Sequence, residues 1–307
     1  MPRWILWTLF AIVSWGLWGV LSKLIGETLS PAMSQALSTL GLLPVMVAAA
    51  LVGRSEADPG RRKLGKTYAF GAGVLSCVAN IAYYHALKVG GKAAIVIPLT
   101  GLYPVVTVVL SIVLLGERIN AVQTAGVGLS LVAICLFNVP ADTVSAKESI
   151  ASPWLAYALV PIVLWGVTGL LQKVSTNHVS GAASTFWFHA AFVPVGIAIL
   201  SVEPLPASVT GSTWLRVTLL GLTFAAGNYG LLAAFARGGK ATIITPVSGL
   251  YPLITISAAV LFLGEKISAR EIAGIGTALA SVLAISWERR ASRGAPQFQA
   301  SKGSSIT

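Results

Sequence analysis

Charge is what this chain has least of. Of its 307 residues only 10% are Asp, Glu, Lys or Arg, and the acidic ones number 10. A soluble domain carries about 25% charged residues because its surface must face water. A soluble globule of this length is therefore excluded, and with it soluble enzymes, disordered chains and collagen-like chains. Cysteine is nearly missing too: Cys77 and Cys135 both sit in apolar runs and offer neither a disulfide framework nor a metal-ligand spacing. The three histidines are scattered and no carboxylate lies within an apolar run, so the clustered acid–base set of a membrane-embedded enzyme is absent. What remains is apolar matter: 55% hydrophobic residues, 31 glycines and a mean hydropathy of +0.81. The composition is that of an all-α integral membrane protein.

A helix crossing the ~30 Å hydrocarbon layer needs about 20 mostly apolar residues. Runs free of charged side chains occur at 4–22, 28–53, 67–87, 93–116, 119–141, 149–172, 174–202, 217–236, 241–264 and 272–287. They predict ten transmembrane helices, and the runs are too long and too evenly apolar for membrane strands. The first is predicted to stay in place as a structural helix, because it lacks a small-residue cleavage site and recurs inside the chain. The net charge of +11 could point to nucleic acid, but its placement argues otherwise. With the N-terminus inside, 14 basic residues fall on the cytoplasmic side and 7 on the outer side. That is the positive-inside bias. It predicts a multi-pass plasma (bacterial inner) membrane protein with both termini cytoplasmic and no nucleic-acid partner.

The two halves repeat each other. Residues 90–119 match residues 238–267 at 15 of 30 positions, including Gly90-Gly91-Lys92-Ala93 with Gly238-Gly239-Lys240-Ala241 and Leu115-Gly116-Glu117 with Leu263-Gly264-Glu265. Pro98, Gly101, Tyr103 and Pro104 correspond to Pro246, Gly249, Tyr251 and Pro252 at this offset, and Asn80 to Asn228. Nearer each start, Trp4, Trp15, Gly16, Gly19 and Lys23 meet Trp154, Trp165, Gly166, Gly169 and Lys173. Five spans per copy is an odd number, so the second copy enters the membrane from the opposite side. Inverted repeats of this kind are the common plan of secondary transporters, with the substrate site near the midplane between the copies. Two repeats are predicted, 4–138 and 154–287, followed by a disordered cytoplasmic tail over 288–307.

These motifs resemble the drug/metabolite transporter superfamily, specifically its EamA-type family of tandem five-helix domains. The resemblance runs from Trp4 to about Ile285. It implies ten helices in two inverted repeats, with helices one to four and six to nine around a central cavity and helices five and ten at the periphery. It also implies transport, with export preferred, but leaves the ligand open between amino acids and nucleotide sugars.

Matching Gly/Pro interruptions in both halves are the best sequence pointer to a transporter site. They single out Pro98, Thr100 and Tyr103 in the fourth span, and Pro246, Ser248 and Tyr251 in the ninth, as cavity or hinge residues. The Leu-Gly-Glu turn reads as structural: Gly116 and Gly264 can close a helix in the left-handed region, and Asn120…Gln123 and Ser268…Glu271 fit capping boxes for the next. Glycine pairs Gly126/Gly128 and Gly274/Gly276 are expected to permit close helix approach. His189 lies about eight residues into its span, roughly 12 Å deep. It either faces the cavity, where it could carry protons, or bonds between helices. His85 is nearer a span end. Trp15, Trp18, Asn80, Tyr83, Tyr84, Trp165, Trp187, Asn228 and Tyr229 complete the expected cavity, with core or lipid-facing packing as the other reading of the tryptophans.

No Arg or Lys lies deep in a span to meet a phosphate, and no carboxylate to meet a cation. A small neutral or zwitterionic solute, an amino acid or related metabolite, fits best, with a larger anionic metabolite such as a sugar phosphate or nucleotide sugar as the alternative. A non-transporting sensor or scaffold is the remaining reading. The expected partners are that solute and the lipid bilayer, with no cofactor or metal, no enzymatic activity, and a homodimer through helices five and ten left open.

Overall fold

A computed structural model describes residues 3–26, 28–52, 59–116, 120–138, 153–206, 209–238, 240–262, 264, 266–285 and 287. Among them every regular element is an α-helix and there is no strand. The first half comprises α1 (Arg3–Gly26), α2 (Pro31–Val52), α3 (Pro59–Lys88), α4 (Ala93–Thr100), α5 (Tyr103–Leu115) and α6 (Ala121–Asn138). The second comprises α7 (Pro153–Thr176), α8 (Gly181–Ala190), α9 (Phe192–Val202), α10 (Gly211–Ala236), α11 (Ala241–Ser248), α12 (Pro252–Phe262) and α13 (Ala269–Ile285). Counting through the short breaks at 101–102 and 191, seven helices are long and apolar enough to cross a membrane, and 252–262 and 272–284 form shorter apolar helices. The tail, and Glu117, Arg118 and Glu265 of the Leu-Gly-Glu turns, lie outside the described residues.

The first of the two expected capping boxes forms, and Glu271 of the second has its side chain outside the described residues. Gly116 and Gly264 adopt φ of 66° and 65°, a left-handed conformation that costs glycine little and ends the helix. Asn120 Oδ1 accepts from the backbone N–H of Val122 and Gln123, and Gln123 Oε1 accepts from Asn120 N–H at 3.0 Å, a complete capping box. At equivalent places Ser30 and Ser180 cap α2 and α8 by accepting from Met33 and Ala183 N–H.

The two matching Gly/Pro segments are broken rather than bent. α4 stops at Thr100 and α5 starts at Tyr103, just before Pro104; α11 stops at Ser248 and α12 starts at Pro252. A proline is tolerated in the first turn of a helix, where its missing N–H has no partner to lose, but it cannot continue one. Pro98 is buried inside α4, one turn before the break.

Packing runs mainly between the halves. α1 and α2 lie along α10, α3 lies along α7 and α8, and α6 pairs with α13. Two symmetric clasps join the first span of each half to the fourth span of the other: Thr107 Oγ1 donates to Gly166 C=O at 2.8 Å, and Thr255 Oγ1 to Gly16 C=O at 2.9 Å. The absence of a side chain permits this approach. A Cβ on Gly19 would lie 2.6 Å from Thr255 Oγ1, and one on Gly169 would lie 2.8 Å from Thr107 Oγ1. α6 and α13 touch through Gly126, whose carbonyl accepts from Ser281 at 2.7 Å. The expectation for the second glycine of each pair fails, since Gly128 and Gly276 face open space. The bundle has two ends. Arg237 lies over the Trp7 ring and Asn120 Nδ2 donates to Trp287 C=O at the end where α1 begins; Lys88 reaches Leu29 C=O and Lys92 reaches Lys266 C=O at the other.

Candidate functional site

Two equivalent sets of polar groups meet at the centre, and their hydrogen bonding differs. In one set, Trp165 Nε1 donates to Asn80 Oδ1 at 3.2 Å, and Tyr103 shares a 3.3 Å hydrogen bond with Ser248. In the other, Asn228 Oδ1 accepts from Gln172 Nε2 at 3.0 Å instead of from a tryptophan. Trp15 Nε1 is left without a partner. The Tyr251 hydroxyl, beside Thr100, also makes no hydrogen bond of normal geometry. Thr100 itself donates to Ile97 C=O in its own helix. One local cause is visible in the sequence. Gly227 lets the indole of Trp15 lie flush against α10, where a Cβ would come within 2.4 Å of Nε1; the equivalent of Gly227 in the first half is Ala79.

These groups border a cavity of about 40 Å³ lined by both halves. Its walls include Trp15, Trp18, Tyr103, Trp165, Asn228 and Tyr251, together with Ser76, Thr168, Gln172, Phe224 and Leu231. Room of that size holds about three waters, too little for an organic solute in this conformation. No charged side chain lines the cavity. It extends from the Trp15–Trp165 level toward the end where α1 begins: Thr168 and Gln172 follow Trp165 along α7, and Leu231 follows Asn228 along α10.

Toward the other end the path is filled. Trp18 stacks on Tyr83 at 4.8 Å and donates its Nε1 to the Tyr84 hydroxyl at 3.3 Å, while Ser22 and Tyr83 share a 3.0 Å hydrogen bond. Tyr83 and Tyr84 are fully buried. By the repeat offsets, Trp18, Ser22, Tyr83 and Tyr84 correspond to Thr168, Gln172, Leu231 and Leu232. Three aromatic rings close one end; a threonine, an amide and two leucines stand at the other. The cavity leans toward the side with the smaller set.

Six of the sixteen sequence-predicted site residues line this cavity, and Asn80, Tyr84 and Ser248 bond directly to lining or closing residues. Thr100 and Pro98 are buried in α4 at the break, and the Pro246 side chain lies outside the described residues. Four residues lie elsewhere. His85 packs on Tyr157 with ring centroids 4.1 Å apart. Tyr229 meets Trp7 edge to face at 5.4 Å. Trp187 lines a second pocket under Lys66. His189 is fully buried among Phe188, Phe192 and Phe224, near the Thr185 carbonyl, and neither ring nitrogen makes a hydrogen bond of normal geometry. It neither faces the cavity nor bonds between helices; depth along a span does not fix direction around it. Ser76, Thr168, Gln172, Phe224 and Leu231 were not singled out, although Thr168, Gln172 and Leu231 are the repeat counterparts of Trp18, Ser22 and Tyr83.

The sequence pattern of the EamA-like transporter family matches residues 2–139 and 152–287. An uncharacterized protein of Methanocaldococcus jannaschii is 38% identical over 73 residues, 24% of this chain and 53% of that protein, so the chain spans about half the length of this curated relative. A solved structure described as a crystal structure of a protein superposes with a TM-score of 0.65 at 20% identity. It covers 91% of this chain and 94% of the other, a likeness of fold alone.

Proposed function

Because the chain belongs to the EamA-like transporter family, we propose that it is a ten-span secondary transporter of a small organic solute, working by alternating access around the central cavity. The observation that carries this reading is a cavity bordered by both halves, filled by aromatic rings at one end and lined by smaller side chains toward the other. Rocking one half against the other would lengthen the contact at one end and shorten it at the other, exposing the same groups in turn. The two clasps, Thr107 to Gly166 and Thr255 to Gly16, are the symmetric contacts about which that rocking would occur.

The lining favours the solute class. Trp15 Nε1 is buried without a partner and the Tyr251 hydroxyl is buried without a hydrogen bond of normal geometry, and each can donate to a carboxylate or carbonyl oxygen. Trp18, Trp165 and Phe224 line the cavity with aromatic surface that suits a cationic or apolar remainder. An amino acid or related metabolite suits such a site. A sugar phosphate or nucleotide sugar would bring two or more negative charges to a cavity with no Arg or Lys in its lining, and is disfavoured. The excess of basic residues at the end bearing Arg3 argues that this end is cytoplasmic, in a plasma or bacterial inner membrane, and the family resemblance favours export.

Purified protein in liposomes tests the reading. Saturable uptake of a labelled neutral amino acid above that of protein-free liposomes is the expected result, measured with and without a pH gradient. Uptake no faster than in empty liposomes across the neutral, acidic and basic amino acids would overturn the substrate class.

A further inference from the structure

An α-amino acid brings an ammonium group as well as a carboxylate, and the N–H donors of that ammonium need acceptors once water is removed. The central cavity treats the two ends unequally. For a carboxylate it has two donors without hydrogen bonds of normal geometry, Trp15 Nε1 and the Tyr251 hydroxyl. For an ammonium it has less. Among the described residues no acidic side chain lines the cavity, and the apolar runs that supply the lining contain no Asp or Glu. Asn228 gives its oxygen to Gln172 Nε2 at 3.0 Å and its own Nδ2 to the Phe224 carbonyl. Beside the cavity, Asn80 gives its oxygen to Trp165. The other side-chain oxygens of the lining, on Ser76, Thr168, Gln172 and the two tyrosines, are neutral.

Aromatic rings make up six of the twelve lining residues. They stand at steep angles, 68° between Trp18 and Trp165 and 81° between Tyr103 and Trp165, with centroids 5.8 and 6.1 Å apart. Such rings turn their surfaces in more than one direction, as the walls of a box do. A cation suited to walls of this kind is one whose nitrogen is fully methylated. Its charge is spread over methyl groups, it leaves no N–H unpaired, and aromatic cages attract it through their rings.

We propose, resting on the reading of the protein as a transporter of small zwitterions, that its preferred solutes are betaines, carboxylates that carry a quaternary ammonium. The carboxylate is held by Trp15 Nε1 and the Tyr251 hydroxyl. The trimethylammonium lies against the aromatic surface of Trp18, Trp165 and Phe224 once the cavity has widened. An ordinary amino acid meets the same donors but leaves ammonium N–H groups short of a charged acceptor, which is costly in a desolvated site.

The test is uptake of labelled glycine betaine by proteoliposomes holding the full-length protein, and competition against that uptake. Glycine, N-methylglycine and N,N-dimethylglycine keep the carboxylate and change only the number of N–H groups. The carbon isostere 3,3-dimethylbutanoate keeps the shape without the positive charge, and choline keeps the cation without the carboxylate. Glycine betaine should be taken up saturably, and competition should strengthen with each added methyl group. Glycine betaine should compete about tenfold better than glycine and than 3,3-dimethylbutanoate, in line with a cation held by aromatic rings away from water. Choline should also compete about tenfold more weakly, since it leaves both donors unmet. Ser76→Asp adds a carboxylate to the cavity wall and should narrow the gap between glycine and glycine betaine; the ligand series on the unaltered protein decides the matter if this variant does not fold. Equal competition by glycine, by 3,3-dimethylbutanoate or by choline would each overturn the betaine class, as would uptake of amino acids without uptake of glycine betaine. Uptake of neither would overturn the wider reading with it.

Discussion

Tyr103 and Tyr251 are equivalents across the repeat, both buried, with unequal hydrogen bonding, so the same substitution should have different consequences. Tyr103→Phe removes a hydroxyl bonded to Ser248, and a net loss of about 1 kcal/mol is expected in thermal unfolding. Tyr251→Phe removes a hydroxyl that lies beside Thr100 without a hydrogen bond of normal geometry, and stability should stay nearly level. Transport should nonetheless fall at least tenfold, since one good hydrogen bond to the solute is worth about that much. Normal uptake by Tyr251→Phe would remove this residue from the site. His189 gives the opposite expectation. It is ringed by phenylalanines away from the cavity, so His189→Leu should leave uptake and its dependence on a pH gradient unchanged in proteoliposomes, provided the folded fraction is matched.

At the scale of elements, the first span of one half meets the fourth span of the other without side chains between them. Thr107→Val and Thr255→Val keep the shape and remove one hydrogen bond each; leaving the Gly166 or Gly16 carbonyl with one partner fewer should cost about 1 kcal/mol. Gly169→Val places branched carbons where a Cβ alone would meet Thr107 at 2.8 Å. Overpacking of that kind costs about 1–3 kcal/mol, and melting in detergent checks it. The helices were readable because charge gaps mark their ends. Their breaks were read less well: the prolines announced an interruption, but Pro98 continues α4 and the break falls just before Pro104, where the ring can start a new helix. Thr107 and Thr255 gave no signal of their own, being single hydroxyls in apolar runs. Their role appears only when the glycines opposite them are known.

At the scale of the whole molecule, the two-fold repeat was legible and its asymmetry was not. Trp, Pro, Tyr and Glu recurring at fixed offsets implied two halves around a shared centre, and Trp15, Trp165, Asn228 and the two tyrosines do meet there. The asymmetry resides in positions where the two halves differ. Trp18 against Thr168, Ser22 against Gln172 and Tyr83 against Leu231 are what tilt the cavity toward one end. The same mismatch suggests how the tilt is held. Gln172 occupies the Asn228 oxygen that Trp15 would take if the second set matched the first. Gln172→Leu should free that oxygen for Trp15 and shift the population toward opening at the far end. This is a property of the two halves together and belongs to no single helix.

Side-specific cysteine labelling tests alternating access most directly. In a background lacking Cys77 and Cys135, single cysteines at Thr168 and Ser22 report the two ends of the path. With a membrane-impermeant maleimide, Thr168→Cys should react only from the side where α1 begins and Ser22→Cys only from the other. Adding Gln172→Leu should lower the first rate and raise the second. Labelling of both positions from one side, or rates that rise and fall together, would contradict a single cavity exposed to each side in turn.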